Sequence, residues 1–176
     1  MSELRTNRIV PRDGLPSGSS GGIIQVRSTT KTDTFAMPSN DTSFHTVTGL
    51  SVTITPTRSD SKILVMYDMN WSSNTGHCSC RLMRDSTAIK IGDAASNRTQ
   101  ATGHFHKSTD DQYDSMQVSG THMDSPATTS ATTYKMQVGT PYGSSYTIFV
   151  NYLGDDTDQS WTARTASSIT VMEISG

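Results

Sequence analysis

The chain has 176 residues, enough for one domain with an interior and an added arm but not for two independent cores. Its 26 Ser and 27 Thr leave only 32% hydrophobic and 17% charged residues, both below the ordinary globular share. Fourteen basic against sixteen acidic residues give a net charge of −2, which offers nucleic acid or an anionic membrane no electrostatic attraction, and no run approaches the roughly eighteen apolar residues of a membrane-spanning helix.

Low hydrophobicity also marks disorder, but disordered chains lack β-branched and aromatic residues and carry high net charge. This chain keeps Trp71, Trp161 and six Tyr with nearly balanced charge. Its hydroxyls suit the outward side of pleated strands, where Thr is well tolerated.

Residues 1–22 read as an arm. Leu4, Ile9, Val10 and Leu15 are scattered among Arg5, Asn7, Arg8 and Arg12, without the long apolar stretch of a secretory signal. Pro11 and Pro16 block a regular ladder, and Ser17–Gly22 has the composition of a tether. Such a segment buries too little surface to order alone, so it is expected to order on a neighbouring chain, the alternative being that it folds back on its own domain. The docking residues expected are Arg5, Asn7, Arg8, Ile9, Pro11, Arg12 and Leu15, with Ile23 and Ile24 at its root. The arginines would meet acidic partner surface, and the aliphatic residues would bury.

From residue 23 to 176 the chain reads as one β domain. Ile23–Val26 opens it. Leu50, Val52 and Ile54 alternate with Ser51, Thr53 and Thr55, the period of two that turns one face inward. Pro56 ends that run, and Arg58–Ser61 supplies a turn. Ile63–Tyr67 is continuously apolar and is expected to be buried on both sides. Cys80–Arg84 and Ala88–Ile91 read as a hairpin. Gln117–Val118, Tyr134–Val138, Tyr146–Tyr152 and Ser168–Ile174 follow, and the last is expected to lie centrally in its sheet. No window holds the three-and-four spacing of an amphipathic helix. The expectation is an all-β single antiparallel sandwich or jelly roll of about eight to ten strands, with loops near 72–78, 93–112 and 153–162 at its edges.

Few residues point to chemistry. Cys78 and Cys80, one residue apart, would share a face at a span awkward for a disulfide and too few for zinc, so both are expected as reduced strand residues. His104 and His106 would also share a face, and three copies about an axis would offer six imidazoles to an ion. Lys107 beside them would repel one. Asp110, Asp111 and Asp155–Asp158 lack the Gly and Glu of a calcium loop and read as solvated turns. There is no Gly-x-Ser-x-Gly elbow, no phosphate loop, and only two Glu, Glu3 and Glu173. No enzyme and no cofactor is expected.

The stretches Thr6–Gly14, Ile23–Val26, Ser61–Val65, Arg81–Asp85, Asp124–Ser130 and Ser168–Ile174 resemble those of small β-rich virion proteins of tailed phages, of the marine phage and cyanophage type, described as structural or fibre-like. The resemblance spans nearly the whole chain, is weakest over 93–123, and rests on structural motifs. It implies a virion component: a trimeric capsid-decoration, head-fibre or tail-fibre subunit held on other virion proteins by its arm. The alternative expectation is a receptor-binding module whose distal loops use Tyr142 or Trp161 to stack on a host surface glycan, whereas Trp71 is expected in the core.

Overall fold

A computed structural model describes residues 22–39, 41–74, 76–108, 113–141 and 146–176. Of the arm, only Gly22 falls within them; Arg5, Asn7, Arg8, Ile9, Pro11, Arg12, Leu15, Tyr142, Asp110 and Asp111 lie outside the described residues. Among those described there is no helix.

Alternation builds the strands. β1 (Ile23–Lys31), β3 (His45–Ile54), β4 (Lys62–Ser73), β5 (Gly76–Arg84), β7 (Gly103–Lys107), β8 (Ser115–Asp124), β9 (Thr132–Gly139) and β11 (Ser167–Ile174) are the longer ones; β2 (Phe35–Ala36), β6 (Thr87–Ile89) and β10 (Ile148–Val150) are short. In β4, Ile63, Val65, Tyr67, Met69 and Trp71 point inward, and in β11 Ile169 and Val171 do the same. β3 needs a correction of phase, because Val47 and Leu50 are both buried but three residues apart. A register shift between Thr46 and Ser51 supplies it, with Gly49 at φ 83° absorbing the extra residue as a bulge.

Antiparallel pairing links β1 to β11, β3 to β9, β4 to β8 and β5 to β7. The chain is therefore one long ribbon folded back on itself at the β5–β7 end. Rolling that ribbon pairs β11 with β4 and β9 with β5. Sheet A then runs β1-β11-β4-β8, with β10 and β2 extending it beside the far half of β4; sheet B runs β3-β9-β5-β7, with β6 beside the far half of β5. Two packed sheets with this order are a jelly roll. The terminal strand β11 lies inside its sheet, between β1 and β4, as expected.

The facing sides enclose one core. Trp71, 2% exposed, meets the Phe105 ring edge-on at 4.7 Å, and Tyr134, Met136 and Leu82 fill the opposite layer. Three expectations are overturned. The Ile63–Tyr67 run is buried on one side only: Leu64 is half-buried and Met66 exposed, both on the outer face of sheet A. The 72–78 stretch is the tight passage from β4 to β5, where Gly76 adopts φ 90° and a Cβ would come within 2.5 Å of the Tyr146 ring. The 93–112 stretch contains β7.

The ribbon gives the molecule two unlike ends. At one end lie the start of β1, the end of β11, the β5–β6 turn at 85–86 and the connections 55–61 and 125–131. At the other lie, among the described residues, 32–39, 41–44, the β4–β5 passage, 113–114, 140–141 and 146–166. Polar latches pin the first end. The Glu173 carboxylate, fully buried, accepts from Gln25 Nε2 at 2.7 Å, Thr57 N–H at 2.7 Å and Thr57 Oγ1 at 2.8 Å. Burial alone would raise its pKa, but hydrogen bonds from Gln25 and Thr57 outweigh it and hold the carboxyl below its ordinary range. Nearby, Asp124 of sheet A accepts from Arg84 Nη1 at 2.9 Å and Tyr134 Oη at 2.7 Å of sheet B. Burial and that bond to Asp124 keep the Tyr134 phenol far above its usual value.

Glu173→Ala removes the acceptor shared by Gln25 and Thr57 and leaves a void at a fully buried position. It is expected to cost about 2 kcal/mol, read as a lower urea midpoint with an unchanged slope.

Candidate functional site

Two surfaces collect side chains with chemical potential, both toward the end remote from β1's start. The first is built on 151–166, the connection from β10 to β11, with Tyr113 ahead of β8. Asn151 anchors it: its Nδ2 donates to Lys31 O at 2.9 Å and Asp33 O at 3.0 Å, while its Oδ1 accepts from Ser167 Oγ. Beyond this anchor the chain turns on itself, Thr162 Oγ1 donating to Thr157 O at 2.7 Å. Arg164 pairs with Asp156 at 2.7 Å and lies over the Tyr152 ring at 5.3 Å. Tyr152 packs edge-on against Phe149, and partial burial, then the Asp156 carboxylate, raise its phenol pKa. Tyr113 Oη donates to Asp155 at 3.2 Å, joining the two segments.

A cleft of about 350 Å³ opens here, lined among others by Asp156, Asp158, Gln159, Thr162 and Arg164. Trp161, on the same turn, is 64% exposed, and Tyr113 is exposed as well. A flat aromatic face beside carboxylate acceptors, an amide and a guanidinium suits a polyhydroxylated ligand, whose ring C–H faces stack while its hydroxyls are bridged. The aspartates expected as solvated turns thus also contribute polar partners. Sequence singled out Trp161 but not Tyr113, Tyr152 or Arg164, because only the fold brings 113 to 155.

The second surface is the outer side of sheet B. His104 and His106 share a face of β7, as their spacing indicates, and both are exposed. The register sets His77 of β5 directly opposite His106. Its ring stacks on His106 at 4.2 Å and on His104 at 5.6 Å, within 24° of parallel. Ser79 Oγ and His104 Nδ1 are 3.0 Å apart. Arg98, Asn97, Thr99 and Pro141 complete a shallow depression of about 440 Å³. Lys107, expected to repel a cation beside the pair, points the other way: it is buried and its ammonium donates to Ser73 O at 3.0 Å. Among the described residues, no three His, Cys, Asp or Glu side chains are arranged to hold a metal ion.

Cys78 and Cys80 are free and buried, facing the core from β5. Burial pushes their thiols up to about 11 and about 12, so neither is a thiolate near neutral pH. At the arm's root, Ile23 is exposed and Ile24 half-buried.

Burial, then repulsion from His77 and His106, lowers the pKa of His104. The unfolded chain therefore binds this proton more readily, and stability falls as pH drops through the ordinary imidazole range near about 6.5. The melting temperature is expected to decline from pH 7 to about 5.5, above the carboxylate range, and His104→Asn to flatten that decline.

The chain matches no family model and no curated protein.

Proposed function

We propose that the protein is a structural component of a phage virion, a trimeric capsid-decoration, head-fibre or tail-fibre subunit docked on neighbouring virion proteins through residues 1–22. The observation that carries this reading is the division of the jelly roll into two ends. The arm joins β1 at Ile23, where β11 finishes and the Glu173 and Asp124 latches lie, while the exposed aromatic turn lies at the opposite end. A subunit held at one end and projecting its loops from the other is what a particle appendage requires. Jelly rolls recur in viral capsid and lectin domains, an analogy of fold that supports the reading without assigning it. The charge-poor, hydroxyl-rich surface suits close packing between copies, where buried charge is costly.

A second reading, host glycan adhesion by the same appendage, is favoured by Trp161. Its indole is exposed on the turn whose Gln159 and Thr162 line a polar cleft, whereas Trp71 is sealed in the core.

Particles from a phage encoding this chain are expected to contain it, and particles assembled with residues 1–22 deleted to lose it. Normal incorporation of the shortened chain, read by mass spectrometry of purified particles, overturns docking through the arm. For adhesion, Trp161→Ala is expected to weaken binding to isolated host surface polysaccharide roughly tenfold with an unchanged melting temperature; undiminished binding overturns it.

A further inference from the structure

Seven large hydrophobic residues stand exposed among those described, and four of them, Ile23, Val26, Met66 and Met123, lie on the outer face of sheet A. The register aligns them with others. Val26 is opposite Met172, Met172 opposite Leu64, and Leu64 opposite Met123, one unbroken apolar row across β1, β11, β4 and β8. Ile23 faces Ile174 on one side of this row, and Met66 stands on the other. Further along the same strands the face turns polar, through Thr30, Ser168, Asp68 and Ser119. The apolar band is confined to the end where the arm leaves.

Three strand spacings make the row about 15 Å long. A globular partner seated on it would need roughly 800 Å² of matching surface per side, far more than the band offers. A single extended segment fits it. The chain has such a segment: 21 residues precede Gly22 and include Leu4, Ile9, Val10 and Leu15. Ser175 N–H donates to Gly22 O at 2.9 Å, continuing the β1–β11 ladder as far as Gly22, so the strand direction there lies in the plane of the sheet. A segment continuing that direction would have to reverse to cover its own outer face, but not to cover the face of a second copy.

We propose that this band is the seat for the arm of a second copy, with Ile9, Val10 and Leu15 crossing the Val26–Met123 row. The inference rests on the reading of residues 1–22 as an anchor and names what the anchor grips. Each subunit then offers one arm and one seat, a head-to-tail contact that cyclic symmetry closes into a ring, three copies for the proposed trimer.

Light scattering on the purified chain tests it. The full chain is expected to have about three times the 19.1 kDa subunit mass. Deleting residues 1–21, or the double substitution Val26→Lys with Met123→Lys, is expected to reduce it to one subunit, with circular dichroism and the melting temperature confirming an intact sandwich. Each shortened chain keeps a seat and each substituted chain an arm, so mixing the two is expected to give a one-to-one complex. A monomeric full chain, a variant that keeps its oligomeric mass while folded, or variants that do not combine overturns the proposal. Should the lysine pair unfold the chain, Met123→Ser, at the edge strand, replaces it in the same mixing experiment. These measurements need no particle, so their failure leaves the virion reading to the incorporation test above, and failure there leaves the seat standing.

Discussion

Two sheets stay together only by hiding their facing sides from water, and here 32% hydrophobic residues must do so for eight long strands. The solution is alternation. Inward positions of β4, β9 and β11 are mostly apolar, with Ser167, Glu173 and Thr132 as polar exceptions, and outward positions are mostly polar apart from Leu64, Met66, Met172 and Ile174. Everything else follows from that scarcity. One interior can be filled but not two, so no helix layer covers either sheet among the described residues. The connections are held by polar latches instead, such as Glu173 on Thr57 and Asn151 on the β1–β2 connection.

Period-two spacing made much of this readable in advance. Leu50, Val52 and Ile54 declare their inward face, and the Cys80–Arg84 and Ala88–Ile91 pair declares its hairpin, because both signals are local. What failed was non-local. Ile63–Tyr67 reads as buried on both sides because a run of five apolar residues carries no phase. Only pairing shows that Leu64 and Met66 face outward beside Met172 and Met123. The place of His77 was hidden for the same reason: the sequence sets it beside Cys78, and it joins His104 and His106 only through the β5–β7 register. Gly76 reads as loop composition, yet it lets β4 pass to β5 beneath the Tyr146 ring.

The two ends of the roll divide labour along one axis. The end bearing the arm's root is stiffened by buried charge, with Arg84, Asp124 and Tyr134 tying sheet B to sheet A. The far end holds the more open chemistry: exposed Trp161 and Tyr113, the Arg164–Asp156 pair, and the imidazole stack. A rigid scaffold presenting polar loops is a common arrangement for recognition, since the loops vary without disturbing the core.

The pairing of Ile23 with Ile174 joins residues about 150 positions apart. A contact of such separation carries a larger loop-closure entropy cost than a local hairpin such as β5–β6. The first strand therefore acquires its partner only once β11 is available, and the arm's departure direction is fixed in the same event. A chain lacking β11 would leave β1 without its ladder partner, so the root of residues 1–22 is oriented only in the completed sheet.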